Sequence, residues 1–167
     1  MWTPYMKSHL KISHININGL RGRRNSLLNY LDEHPSDIIS VNETKMSKES
    51  HFSFPNYKIV RRDRDENGGG VAILVRDNLD FAILNWYDDL NTEAIVIRIS
   101  GATGMAPIVT YYNPPKDRVN REIFLRAHRR STRYIILCDL HAPHQEYGAR
   151  TRFQSGEILL DCLDNTN

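Results

Sequence analysis

Asp139, His141 and His144 stand in the run Cys-Asp-Leu-His-Ala-Pro-His, a spacing at which a carboxylate and two imidazoles could hold a transition-metal ion. Asp139 also ends the continuous apolar run Tyr134 to Cys138, β-branched at Ile135 and Ile136. That run predicts a short strand buried on both faces. A carboxylate placed where a core strand emerges is held rigidly and faces the rim where open α/β sheets put their sites. Other polar groups end comparable apolar stretches. Leu10 to Ile17 runs into Asn16, Asn18 and Gly19, Asp37 to Val41 into Asn42-Glu43-Thr44, and Ile108 to Tyr112 into Asn113-Pro114-Pro115. Each has a plain structural role as well: Asn18 a turn, Glu43 a surface carboxylate, Tyr112 a rim aromatic, Asp139 the start of a turn.

The elements that must position these groups follow from periodicity. Leu10 to Ile17 alternates as a strand does. Leu27, Leu28 and Leu31 lie at helical spacing over Arg24 to Glu33, with Asn25 as the expected cap and Pro35 beyond the end. With the strand over Asp37 to Val41, this makes a crossover unit whose parallel strands bring Asn18 and Glu43 to one sheet edge. The pattern then changes. Strands are expected at Tyr57–Arg62, Val71–Arg76, Leu79–Leu84, Ala94–Ile99 and Ile108–Tyr112, closely spaced and antiparallel rather than alternating with helices. Gly68-Gly69-Gly70, closing the charged turn Arg64 to Gly70, lacks the spacing and following helix of a nucleotide loop. It reads as a hairpin turn with close backbone packing. Helices are expected from about Asn120 to Arg130 and from Gln154 to Leu163, the latter with Ile158, Leu159 and Cys162 on one side.

Composition narrows the class. A chain of 167 residues, 40% apolar and 25% charged, reads as one globular domain. The net charge is only +2, but arginines cluster at Arg21, Arg23 and Arg24; at Arg61, Arg62 and Arg64; at Arg126, Arg129, Arg130 and Arg133; and at Arg150 and Arg152. Guanidinium groups suit phosphates because their planar fork binds two oxygens at once, although a solvated face is the ordinary use of such clusters. Cys138 and Cys162 make no metal or redox spacing, and a reduced core Cys138 suits an intracellular location, nuclear or cytoplasmic. The N-terminus Met-Trp-Thr-Pro-Tyr-Met-Lys has no apolar signal core, and no apolar run approaches membrane-spanning length.

Five segments in order carry a resemblance: His-Ile-Asn-Ile-Asn-Gly-Leu, Ser-Val-Asn-Glu-Thr-Lys, Gly-Gly-Gly-Val-Ala-Ile-Leu-Val, Tyr-Tyr-Asn-Pro-Pro and Cys-Asp-Leu-His-Ala-Pro-His. Together they resemble the endonuclease/exonuclease/phosphatase family, most of all the endonuclease domain of LINE-type (non-LTR) retrotransposons, over about Leu10 to Leu163. The resemblance implies an α/β, four-layer sandwich of two packed, mostly antiparallel sheets flanked by helices. It implies in-line hydrolysis of a phosphodiester with Mg²⁺, Mn²⁺ being the alternative. By position, Asn18 and Glu43 match the metal site, Asn16 the residue supporting the phosphate site, Tyr112 the tyrosine at the scissile phosphate, and Asp139 the group that positions or deprotonates the attacking water. A hard cation sharing carboxylate and carbonyl oxygens with waters and substrate phosphate is the physical counterpart. The implied partner is DNA, in a larger polyprotein with a reverse transcriptase.

Three departures qualify the resemblance. His141 stands where the family's Gly-Asp-x-Asn has an amide that donates to the phosphoryl oxygens, and imidazole is larger and titrates near neutrality. Asn42 replaces the usual Gln before Glu43. The family's Ser-Asp-His triplet has no counterpart after Asp139. The expectation is therefore a single domain over residues 1–167 that stops before that motif, with weak or lost activity. Two other functions stand beside it. One is an eroded fragment that binds nucleic acid without catalysis. The other is a metallophosphoesterase built on Asp139-x-His141-x-x-His144, whose usual later Gly-Asp and Gly-Asn-His are absent. The geometric expectation is specific: Asn18 and Glu43 oxygens lie together beside Asp139 and Tyr112 in one cleft.

Overall fold

The computed structural model describes residues 9–64, 68–100, 106–115, 117–150 and 154–164. The N-terminal Met-Trp-Thr-Pro-Tyr-Met-Lys, residues 65–67 of the glycine-rich turn and Arg152 lie outside the described residues. The chain runs β1 (Ile12–Asn16), α1 (Arg24–Glu33), β2 (Ile38–Asn42), β3 (Tyr57–Arg62), β4 (Val71–Arg76), β5 (Phe81–Ile83), β6 (Glu93–Ile99), β7 (Ile108–Tyr112), α2 (Arg121–Arg130), β8 (Ile135–Asp139), a 3-10 turn at Gln145–Tyr147 and α3 (Gln154–Asp164). One sheet has the order β1-β2-β4-β3 and the other β5-β6-β7-β8. Each contains one parallel pair, β1 with β2 and β7 with β8, and two antiparallel pairs.

Period-two alternation sorts the layers. In β4, Val71, Ile73 and Val75 face the second sheet, where they meet Ile95, Ile97 and Ile99 of β6 and Ile108 of β7. Ala72 and Leu74 face the opposite way, against Leu27 and Leu31 of α1. On the far side, Ala94, Val96, Val109 and Tyr111 pack under Ile123, Phe124 and Ala127 of α2, with Cys162 of α3. The result is the expected sandwich of four layers: α1, sheet, sheet, and α2 with α3. Among the described residues no helix is long and apolar enough to cross a membrane.

Three expectations need correction. Asn25 does not cap α1; Arg23 holds that position and makes no side-chain cap bond. In α2, by contrast, Asn120 is the cap and accepts from the Glu122 amide at 3.0 Å. The strand ending at Asp139 is not buried on both faces. It is an edge strand of its sheet, and Ile135 is exposed while Ile136 to Asp139 are half-buried. An apolar run reports hydrophobicity without reporting whether a neighbouring strand lies on each side. Cys138 is accordingly half-buried rather than a core residue, its thiol free and pushed up to about 11 by burial and then by the Asp139 carboxylate.

Register decides which residues share the sandwich's rim. In the parallel pairs, Asn16 lies opposite Asn42 and Tyr112 opposite Asp139, all at strand C-termini. The buried Asn42 amide donates to the Tyr111 carbonyl at 3.0 Å, tying the two sheets together at that same rim. The shorter side chain at the position before Glu43 therefore serves as an inter-sheet clamp.

Candidate active site

Asn16 is the hub. Its Nδ2 donates to Glu43 Oε1 at 2.9 Å and to Asp139 Oδ2 at 2.7 Å, joining groups 27 and 123 residues distant in sequence. Its Oδ1 accepts from the backbone amide of Asn18 at 3.2 Å. One amide thus holds two carboxylates from different sheets while its own orientation is fixed by the turn beyond β1. Tyr112 completes the frame from β7, donating its hydroxyl to Glu43 Oε1 at 3.1 Å. Burial, and then the Glu43 charge, push the Tyr112 phenol well above its ordinary value, so it stays protonated and remains a donor.

The loop carrying Glu43 is fastened by glycines. Thr44 N–H donates to Gly70 O at 3.1 Å and Lys45 N–H to Gly69 O at 2.9 Å. Gly70 N–H in turn donates to Glu93 Oε2. The hairpin reading of Gly68-Gly69-Gly70 holds over its described residues, and the close packing it foresaw is against the Glu43 loop. Backbone strain gathers here. Asn18 (φ 49°), Glu43 (φ 54°), Lys45 (φ 50°) and His141 (φ 44°) all adopt the left-handed conformation that non-glycine residues rarely enter. Held strain of this kind is common at functional sites.

His141 lies in the turn after β8, with Nε2 at 3.4 Å from Asp139 Oδ1 and its ring edge-on to Tyr112, centroids 6.1 Å apart. Asn113 sets that turn by donating to the Leu140 carbonyl at 3.3 Å. Glu43, Asp139 and His141 each offer a ligand atom, all within 4.8 Å of one another, so this donor set fits a divalent cation. His144 does not join them. It is buried, receives the Glu146 amide on Nδ1 at 3.1 Å and points Nε2 at Glu157 of α3, 3.2 Å away. The Asp-x-His-x-x-His set is therefore split, its last member serving as a cap and a helix contact.

All six residues singled out from sequence, Asn16, Asn18, Glu43, Tyr112, Asp139 and His141, converge on one rim. Lys45 is the member that sequence reasoning missed. Its ammonium contacts Asn18 Oδ1 and lies 3.8 Å from Glu43 Oε2. Its place in Asn-Glu-Thr-Lys, two residues past Glu43 in a tight turn, was the available signal. Beside Tyr112 opens a polar groove of about 470 Å³ lined by Arg62, Arg64, Glu93, Asn113, Asp117 and Arg118 among others.

The arginine clusters divide by role. Arg62 donates to the carbonyls of Tyr87, Leu90 and Ala94, Arg61 pairs with Asp63, and Arg126 with Asp89. These are structural. Exposed Arg129, Arg130 and Arg133 sit near the start of β8, at the end of the strand opposite Asp139. Exposed Arg21 and Arg23 follow the Asn18 turn in sequence, and Arg21 donates to the His51 carbonyl at 3.2 Å.

Comparison with known proteins bears on the fold and the family. No curated protein sequence gives a significant match. Among solved structures, the chain is similar to the endonuclease domain of TRAS1, a telomere-specific non-LTR retrotransposon. Identity is 18%, with 94% of this chain and 72% of that one covered, at a TM-score of 0.73. It is similar also to the 3'-5' exonuclease NExo from Neisseria meningitidis (20% identity, 92% and 71% covered, TM-score 0.64). A second structure from Neisseria, a variant of the 3' phosphatase NExo bound to product DNA hairpin, aligns with 20% identity over 92% and 71% at a TM-score of 0.61. At these identities the likeness is one of fold. The profile of the Endonuclease/Exonuclease/phosphatase family matches residues 14–159, which span the rim from the strand bearing Asn16 through Asp139 and His141, and the chain belongs to that family.

Proposed function

We propose that this chain is the endonuclease domain of a retrotransposon-type protein, spanning residues 1–167, which hydrolyses DNA phosphodiesters with a divalent metal ion. The observation that carries the reading is the single amide of Asn16 holding Glu43 and Asp139 together across two sheets. A bound Mg²⁺ or Mn²⁺ would supply positive charge to the phosphate and the leaving oxygen. The side chains do the rest. Asn16 fixes the separation of the two carboxylates. Tyr112 keeps its proton and presents a hydroxyl at the phosphate. Asp139 accepts the proton of the attacking water, and His141 stands beside it with Nε2 3.4 Å from Asp139 Oδ1. DNA is the proposed substrate and partner, and a reverse transcriptase on the same polyprotein the proposed context. Its phosphates meet Arg21, Arg23 and Lys45, so binding is sequence-independent and falls steeply as salt rises.

Turnover is proposed to be slow. An imidazole stands at His141, where the family resembled has an amide that donates to the phosphoryl oxygens, and loss of one such donor lowers a rate by ~10²–10³-fold. The test is relaxation of supercoiled plasmid by the 167-residue chain. Nicking is expected to be lost on chelation, restored by adding the divalent ion back, and strongly reduced in Glu43→Ala. Nicking that persists equally in Glu43→Ala would refute the assignment. Binding to DNA without any metal-dependent nicking would favour the non-catalytic reading.

A further inference from the structure

We infer that the site selects a transition-metal ion, Mn²⁺, Co²⁺ or Zn²⁺, over Mg²⁺, with His141 as a ligand beside Asp139 and Glu43, and with the ammonium of Lys45 standing at the all-oxygen position. The inference deepens, and rests on, the reading of this rim as a metal-dependent hydrolytic centre.

Three observations lead here. First, the oxygen pair expected to hold Mg²⁺, from Asn18 and Glu43, already faces a cation. Lys45 Nζ contacts Asn18 Oδ1 and lies 3.8 Å from Glu43 Oε2. A Mg²⁺ ion entering there must displace a positive charge, while shedding water that it gives up reluctantly. Second, the oxygens are not equally available. Glu43 Oε1 takes donors from Asn16 and Tyr112, and Asp139 Oδ2 takes the other Asn16 bond. Glu43 Oε2, beside the Lys45 ammonium, and Asp139 Oδ1 remain, and the latter is the atom that faces His141 Nε2 at 3.4 Å. Two donors each ~2.0–2.2 Å from one tetrahedral ion lie roughly 3.3–3.5 Å apart. Third, the His141 backbone is held in the left-handed region at φ 44°, a strained conformation that persists only where surrounding structure imposes it. Asn113 imposes it through Leu140, and the Tyr112 ring edge closes the other side.

The chemistry of the donors then decides the ion. Imidazole nitrogen suits transition metals such as Co²⁺ and Zn²⁺, with Mn²⁺ the weakest of the three, and Mg²⁺ takes oxygen almost exclusively. One nitrogen with two carboxylates is therefore a poor cage for Mg²⁺. The usual amide at position 141 would offer only oxygen or an N–H.

The test is metal binding, read apart from cleavage. The wild type, His141→Asn and Lys45→Met are titrated calorimetrically with MgCl₂, MnCl₂ and ZnCl₂, and the Co²⁺ form is followed by its visible absorption. Asn tolerates the left-handed backbone at position 141 better than any residue but glycine, so the first variant keeps the turn. The wild type is expected to bind Zn²⁺ and Co²⁺ well above Mg²⁺. His141→Asn should weaken Zn²⁺ and Co²⁺ by at least ~10-fold, as loss of even a supporting group around a metal does, alter the Co²⁺ spectrum and leave Mg²⁺ unchanged. Lys45→Met should tighten Mg²⁺. Equal Zn²⁺ and Co²⁺ affinity with an unchanged Co²⁺ spectrum in His141→Asn would overturn the inference, leaving His141 as a hydrogen-bond partner of Asp139. Mg²⁺-dependent nicking with that result would defeat the inference alone. Co²⁺ binding through His141 without nicking of any DNA would uphold it and defeat the endonuclease assignment instead.

Discussion

Replacing Asp139 with Asn is expected to lower single-turnover DNA cleavage by ~10²–10⁴-fold, the range for removing a positioned acid–base group, while leaving the fold intact. The substitution is close to isosteric. The amide oxygen it introduces can still accept from Asn16 Nδ2, now 2.7 Å from Asp139 Oδ2. The backbone bond from Asn113 N–H to the Asp139 carbonyl, 3.0 Å, is untouched. What disappears is the negative charge that accepts the water's proton and balances a cation. Thermal unfolding of the variant should match the wild type within a few degrees. A cleavage rate equal to the wild type's would show that another group takes the proton.

Gly70→Ala is expected to be the most damaging small substitution near the site. Gly70 has φ 84°, and a Cβ built there collides with Thr44 Oγ1. Its N–H donates to Glu93 and its carbonyl accepts from Thr44 N–H, so the backbone cannot swing away without releasing the loop that carries Glu43. Strained left-handed positions of this kind cost about 1–3 kcal/mol, and for a chain of this size each kcal/mol lowers Tm by about 2–4 °C. Cleavage should fall with Tm because Glu43 loses its place. Gly22→Ala is the control, since that glycine has neither a positive φ nor any atom near its Cβ direction. Differential scanning calorimetry that finds the two variants equally stable would remove the glycine clamp from the account.

Much of the scaffold was legible because alternation is a local signal. The helix over Arg24–Glu33 and the strands at Tyr57–Arg62, Val71–Arg76 and Ile108–Tyr112 fall where the periodicity puts them. The polar strand ends were legible too, as residue types that leave a sheet and start a turn. What escaped was whatever depends on contact between distant segments. Ile135 looks as buried as any β-branched residue, and only the strand order makes it an edge. Arg62 looks like a phosphate ligand until three carbonyls are found to hold it. Asn16 was read as support for the phosphate, and nothing local says that its side chain also bridges two carboxylates. Lys45 carried no signal beyond its type and its place in the turn, because nothing local says that its ammonium reaches back to Asn18.

The central claim is that Glu43 and Asp139, held by one amide, act as a unit in phosphodiester hydrolysis. Single-turnover cleavage of a labelled DNA duplex by the wild type, Glu43→Ala, Asp139→Asn and the double variant tests it most directly. Groups that act as a unit are strongly non-additive. The double variant is therefore expected to cleave no more slowly than the slower single variant. Losses that multiply independently would contradict the claim.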